Sequence, residues 1–230
     1  MTNRIAVVDY GMGNLRSVEQ ALRHVAGEAE VVLASTPDLI ETADRVVFPG
    51  QGAMRDCMAE LDARNLRQAV IDAAASKPFL GICIGLQMLF DHSEEGDAAG
   101  LGILSGQVKR FAADLKGNDG LRLKVPHMGW NQVAQTRPHA LWDGIADQSF
   151  FYFVHSYHVV PDDAGMVVGQ TDYGHPFTTA VARDNIFAIQ CHPEKSARDG
   201  HVGAVQHPFN VRLQQVMKKP ESQSCKWLLV

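Results

Sequence analysis

The 230-residue chain is 46% hydrophobic and carries a formal charge of −5 scattered along its length rather than in runs, which excludes an electrostatic footprint for nucleic acid or a membrane surface. No stretch reaches the roughly 20 apolar residues of a spanning helix. The opening Met1-Thr2-Asn3-Arg4 leads into an apolar run too short for a signal peptide, and the four cysteines form neither a CxxC pair nor a dense secreted framework, so one α/β enzyme domain in the cytoplasm is expected.

Ile5 to Asp9 reads as the first strand, Tyr10-Gly11-Met12-Gly13-Asn14 as a glycine-rich turn, and Leu15 to Val25 as a helix with Leu15, Val18, Leu22 and Val25 along one face. Asn14 is placed to cap it. The turn invites a dinucleotide reading, but a third glycine and a downstream acidic partner are missing, so phosphate is not expected there. Strands follow at Glu30 to Leu33 and Arg45 to Phe48, then helical residues from Met54 to Ala75, a strand at Pro78 to Ile82 and a helix-like run from Leu86 to Phe90. This alternation implies an open, mostly parallel sheet with helices on both faces. Beyond Asp91 the pattern changes to short strands, at Gln107 to Phe111, Leu121 to Val125, Gln132 to Ala134, Phe150 to Val154, Val159 to Val160, Val167 to Gln170 and Thr179 to Arg183. These extend the sheet or form a mixed antiparallel flank. A last strand, Ile186 to Gln190, runs into Cys191-His192-Pro193-Glu194.

Chemistry gathers at three strand ends. Gly81-Ile82-Cys83-Ile84-Gly85 has the pattern of a nucleophile elbow, a sharp strand-to-helix turn that lifts one side chain clear of the sheet between glycines that avoid neighbouring backbone. The helix start favours negative charge at Cys83, and the Ile84 N–H points to where an attacked carbonyl becomes negative. A buried structural cysteine is the competing reading of the pentapeptide. Pro193 biases His192 toward extended geometry, in which residues two apart share a face, so the His192 ring and Glu194 carboxylate project together. Cys83, His192 and Glu194 would then serve as nucleophile, base and orienter, whereas a lone His-x-Glu is an ordinary surface pair. Pro49-Gly50-Gln51-Gly52-Ala53 either offers backbone N–H groups to an oxyanion or is a plain turn. Gly50, Cys83 and His192 all fall at C-terminal strand ends, where open parallel sheets gather their sites. The aromatic stretch Phe150 to His158 lines a pocket or belongs to the core, and His155 and His158 lack the companions of a metal site, so neither metal nor cofactor is expected.

Together with Asp9 to Val18, Pro126-His127-Met128-Gly129-Trp130-Asn131 and His192-Pro193-Glu194-Lys195-Ser196, these features resemble the class I, triad-type glutamine amidotransferases, and among them the glutaminase subunits of imidazole glycerol phosphate synthases. The match runs from about Ile5 to Ser196, making residues 1–196 the amidotransferase domain. The resemblance implies a flavodoxin-like sheet and a triad of Cys83, His192 and Glu194. It also implies that Gln87, in Gly81-x-Cys83-x-Gly85-x-Gln87, holds the amino-acid end of L-glutamine. Gly52, Ser156 and Tyr157 would be further substrate contacts, and the Gln51 and Ile84 amides the oxyanion hole. The implied partner is a (β/α)₈-barrel cyclase subunit forming a heterodimer, reached by Lys195 and Trp130. It would use the released ammonia to make imidazole glycerol phosphate and an aminoimidazole carboxamide ribotide in histidine biosynthesis.

Two features depart from that pattern. Gln51 stands where many relatives carry valine, which matters little if the backbone amide is the donor. Relatives close with a short apolar helix, whereas residues 197–230 run on as an atypical tail with one helix candidate, Val211 to Lys218, bounded by Pro208 and Pro220. Rival readings are a glutaminase of another synthase, which should lack the Tyr10 to Val18 and Pro126 to Asn131 segments, a cysteine peptidase, and an interaction subunit that only scaffolds its partner.

Overall fold

β-Branched residues alternate with helix formers through the first half of the chain, and the computed structural model, which describes residues 3–117 and 119–195, turns that alternation into a parallel sheet flanked by helices. In order come β1 (Arg4–Val8), α1 (Leu15–Val25), β2 (Glu30–Ala34), α2 (Pro37–Glu41), β3 (Arg45–Gly50), α3 (Met54–Ala63), α4 (Arg67–Ser76) and β4 (Phe79–Cys83). β1 lies parallel to β2 and β3, and β3 to β4. Every residue of β3 and β4 is buried, which is why both strands are almost continuously apolar rather than alternating. Asn14 occupies the capping position of α1, but its amide donates to Ser17 Oγ at 2.8 Å instead of capping the helix. The single helical run expected from Met54 to Ala75 is two helices, broken at Asn65, whose φ of 57° a right-handed helix does not admit.

The helix after Cys83 is a single turn, α5 (Ile84–Gln87), and Phe90 opens β5 (Phe90–Ser93) instead of ending a helix. The cause is tertiary. The Met88 and Leu89 carbonyls, which a longer helix would use, accept from the N–H groups of Leu101 (2.8 Å), Ile103 (2.9 Å) and Leu104 (2.8 Å). Then follow β6 (Ala98–Ala99), β7 (Leu104–Arg110), β8 (His127–Gln135), β9 (Ser149–His155), β10 (Tyr157–Pro161), β11 (Val167–Asp172), β12 (Pro176–Arg183) and β13 (Ile186–Ile189).

Among the described residues the strands run β2-β1-β3-β4-β13-β12-β10-β7-β5-β6, with β11, β8 and β9 branching from β12. β13 thus returns to the middle of the molecule, parallel to β4 and antiparallel to β12. The mixed flank is an extension of the sheet: β10 is antiparallel to β12 and β7, and β11 to β12 and β8, while β5 and β7 are parallel. The strand expected at Leu121 to Val125 is reduced to a bridge between Arg122 and Lys116, because Asp119 and Gly120 close a tight turn beside it. One core joins the halves, running from Tyr10, Phe48 and Phe79 through Phe187 to Phe151 and Phe177. No helix among the described residues is long and apolar enough to cross a membrane. Residues 196–230, with the expected helix Val211 to Lys218, lie outside the described residues.

Candidate active site

β3, β4 and β13 end side by side. Gly50 is the register partner of Cys83, and Ile189 of Ile82, so the three segments that follow these strands open at one edge of the sheet. Cys83 is the turning point, with φ 56° and ψ −112°, a conformation that residues with a Cβ rarely adopt. Its neighbours have no such freedom to vary. A Cβ on Gly85 would overlap the Phe48 carbonyl oxygen, and one on Gly81 would lie 2.9 Å from the Ala188 Cβ. The elbow is therefore wedged between β3 and β13, and Cys83 is only 4% exposed.

His192 and Glu194 meet, though not by extension. Pro193–Lys195 is a 3₁₀-helical turn in which the Lys195 N–H donates to the His192 carbonyl at 3.2 Å. Proline suits the first helical position, where its fixed φ is right and its missing N–H is not needed. The turn brings Glu194 Oε1 to 2.7 Å from His192 Nδ1, with both side chains nearly buried. Burial works to lower the His192 pKa, but the charge and hydrogen bond of the facing Cys83 sulfur and of Glu194 outweigh it and push the value up to about 10. His192 is then an imidazolium at neutral pH, set between a sulfur and a carboxylate. Burial instead pushes the Cys57 thiol up to about 11 and the Cys191 thiol well above its ordinary value, which leaves both as inert thiols.

A cavity of about 260 Å³ opens over the elbow, and its wall includes Gln51, Gly52, Cys83, Ile84, Gln87, Ser156, Tyr157, His192 and Lys195. Ile84 is the first residue of α5, so its N–H has no carbonyl one turn back to bond. Two of the residues selected from sequence lie off this wall. Glu194 is reached through His192, and Trp130 sits on the outer face of the β8–β9 pair, 41% exposed and edge-on to Tyr152 at 6.0 Å. Lys195 Nζ lies 5.5 Å from the same Tyr152 ring, so Lys195 and Trp130 share a neighbour. Met128 and Phe150, 62% and 55% exposed, extend this apolar face.

Several contributors were not singled out from sequence. Tyr10, counted as a turn residue, is fully buried and donates its hydroxyl to the Pro49 carbonyl at 2.9 Å, while the Cys57 thiol donates to the Gln51 carbonyl at 3.4 Å. Both carbonyls flanking the Gly50–Gln51 peptide are thereby anchored. Gln87 Nε2 donates to the Tyr157 carbonyl at 3.1 Å and to Gln190 Oε1 at 3.0 Å, and Gln190 Nε2 stands 3.7 Å from Cys83 Sγ. His155 is hydrogen-bonded through Nδ1 to the Tyr157 carbonyl (2.8 Å) and through Nε2 to His127 Nδ1 (3.1 Å). Burial pulls His127 down to about 4 and, as the largest influence, His155 to about 3, so both rings are neutral. Among the described residues no group of His, Cys, Asp and Glu side chains is arranged to hold a metal ion. No signal in a single sequence marks Gln190, whose contact with Cys83 spans more than a hundred residues.

The family model described as glutamine amidotransferase class-I matches residues 6–209. The chain is 64% identical over 197 residues, covering 85% of its length and 91% of the relative's, to the imidazole glycerol phosphate synthase subunit HisH of Dechloromonas aromatica. It is 62% identical over 201 residues to the subunit of the same name from Thiobacillus denitrificans, covering 87% of this chain and 88% of that one. Among solved structures, PurLQS from Thermotoga maritima superposes with a TM-score of 0.66 at 20% identity, covering 93% of this chain and 97% of that chain. A glutamine amidotransferase crystal structure gives 0.65 at 16% identity, covering 92% and 97%. These two likenesses bear on the fold alone.

Proposed function

The chain belongs to the class I glutamine amidotransferases, and from that premise we propose that it is the glutaminase subunit of an imidazole glycerol phosphate synthase, with residues 1–196 as its amidotransferase domain. It hydrolyses glutamine to glutamate and ammonia and passes the ammonia to a cyclase subunit, a (β/α)₈ barrel with which it forms a heterodimer in histidine biosynthesis. The observation that carries this reading is the Cys83 sulfur facing the buried His192 ring at one cavity, with Glu194 holding that ring from behind at 2.7 Å. Free thiols at Cys57, Cys83 and Cys191 suit the reducing cytoplasm.

The chemistry follows from the positions. His192 carries the proton that Cys83 gives up, and the Cys83 sulfur adds to the carboxamide carbon of glutamine, whose amino-acid end is held by Gln87, Gly52, Ser156 and Tyr157. The Gln51 and Ile84 N–H groups take the charge that develops on oxygen. His192 then delivers its proton to the departing nitrogen, ammonia leaves, and a water activated by the same ring cleaves the thioester to glutamate. Glu194 keeps the ring oriented throughout.

Activity is gated by the partner. Between the anchored Pro49 and Gln51 carbonyls one peptide, Gly50–Gln51, is left to rotate, and Gly52 beside it already sits at φ +104°. Docking of the cyclase and its nucleotide, through Lys195 and the apolar face around Trp130, turns the Gln51 N–H inward and completes the oxyanion hole. The test is an assay of the assembled complex. Cys83→Ala is expected to lose glutamine-dependent synthesis while ammonia-dependent synthesis stays near wild type, and retained glutaminase activity rejects the nucleophile. Equal glutaminase rates with and without the partner reject the gate.

A further inference from the structure

Gln190 follows β13, is fully buried, and touches the one atom on which the proposed reaction turns. The oxygen and nitrogen of a carboxamide differ little in shape, so which end faces the sulfur must be read from the surrounding network. That network has a fixed origin. The Tyr157 carbonyl can only accept, and it receives Gln87 at 3.1 Å and His155 at 2.8 Å. The Gln87 atom at that point is therefore its NH₂, and the same NH₂ lies 3.0 Å from Gln190. A donor there requires the Gln190 oxygen, which leaves the Gln190 NH₂ directed at Cys83 Sγ, 3.7 Å away. Reversing the amide would set two NH₂ groups against each other and aim lone pairs at the sulfur, among side chains that are nearly or fully buried.

We infer that Gln190 is a further catalytic residue: its carboxamide N–H, locked in direction by Gln87 and the Tyr157 carbonyl, donates to the Cys83 sulfur and supports the thiolate form. The inference rests on the reading of Cys83 as nucleophile. A hydrogen bond to sulfur at this distance is weak in water, but Gln190 is fully buried and Cys83 only 4% exposed, and a bond to a charged acceptor strengthens as the local dielectric falls. Gln190 belongs to none of the surfaces that line the cavity. It bonds the nucleophile directly and reaches the substrate-holding wall only through the Gln87 NH₂, which keeps the Tyr157 carbonyl as its other acceptor, so its removal affects turnover more than glutamine affinity.

The experiment uses the complex of full chain and cyclase partner, with Gln190→Met and Gln190→Leu, two apolar replacements of different shape that both remove the donor to Cys83 and the acceptor for the Gln87 NH₂. Iodoacetamide alkylation is followed against pH by the mass of the peptide bearing Cys83, since Cys57, Cys191 and Cys225 are also cysteines. Both variants are expected to move the Cys83 alkylation midpoint up by about one pH unit and to lower glutaminase kcat roughly tenfold, with KM for glutamine within about twofold. Unchanged midpoints in both variants overturn the inference, as does a defect confined to KM or one that differs between Met and Leu, which would report packing. Cys83→Ala separates the two claims. If it abolishes glutaminase while the Gln190 variants titrate as wild type, only the role of Gln190 fails; if it retains glutaminase, the nucleophile reading fails.

Discussion

The parallel half of the sheet and its antiparallel flank both reach the cavity, but they are built on opposite rules. In the parallel half β3, β4 and β13 are covered on both faces and approach so closely that a Cβ on Gly50 would overlap the Tyr10 hydroxyl and one on Gly85 the Phe48 carbonyl. In the flank, β8 and β9 bury one face, with His127, Phe151, Phe153 and His155, and leave Met128, Trp130 and Phe150 on the other. Backbone positions are over-determined in the first region, and side chains face outward in the second. The proposed reacting groups stand where misplacement by a fraction of an ångström is resisted, and the proposed partner surface stands where side chains change without disturbing the ladder.

The sharpest way to break this contrast is to remove chemistry from the rigid half without touching its backbone. His192→Ala is expected to lower glutaminase activity of the complex by about 10⁴-fold or more, and Glu194→Ala by roughly ten- to a hundredfold less than that, because an orienter is more dispensable than a proton carrier. If Glu194→Ala turns over as wild type in a steady-state assay, the orienting carboxylate lies elsewhere. Packing comes next. Gly85→Ala should cost about 2–4 kcal/mol in urea unfolding, since the Phe48 backbone must move. Gly27→Ala, where φ is +59° but nothing lies within 4 Å, should cost only about 1 kcal/mol. Equal costs would show that close approach is not what confines the elbow.

The flank should reveal itself through acid. His127 and His155 are held neutral down to about 4 and about 3, whereas the unfolded chain protonates them near pH 6.5. Below that pH the unfolded state binds more protons, so stability is full above it and falls as pH drops toward about 4, by at most about 1.4 kcal/mol per group per pH unit. His192, whose value is raised to about 10, stabilises the folded state most fully below about pH 6.5 and so takes no part in this loss. Urea midpoints that stay level from pH 7 to pH 5 would contradict the neutral pair. The smallest stability effect is expected at Trp130→Ala, under about 1 kcal/mol, although affinity for the cyclase should weaken about tenfold or more by calorimetric titration. Unaltered affinity would move the docking face elsewhere.

Periodicity carried the first half of the fold because every strand there is apolar and every long helix has a buried stripe. It misjudged the residues after Gln87, where the carbonyls of Met88 and Leu89 are taken by residues far ahead in the fold, and no local pattern signals that. Leu121 to Val125 is β-rich in composition but lacks a neighbouring strand to pair with beyond Lys116. At the site, the elbow was legible because glycines at 81 and 85 are a local necessity. The meeting of His192 and Glu194 was legible for an incomplete reason, as the spacing serves a 3₁₀ turn and not an extended segment. Tyr10 and Gln190 were illegible because their roles exist only across long loops, through a hydroxyl on the Pro49 carbonyl and an amide on a sulfur.

The backbone at residue 83, with φ 56° and ψ −112°, disfavours every side chain that carries a Cβ to much the same degree. The elbow therefore behaves as a socket indifferent to what is plugged into it. Serine or alanine at this position inherits the conformational burden that cysteine bears, so exchanging them compares one nucleophile with another, or with none, on a scaffold of constant energy. Glycine alone escapes: it discards the burden together with the sulfur, and yields a chain that is sturdier and inert. The strain belongs to the location, not to the thiol, and any other reactive group installed at 83 would find the same cavity, the same imidazole and the same helix start waiting for it.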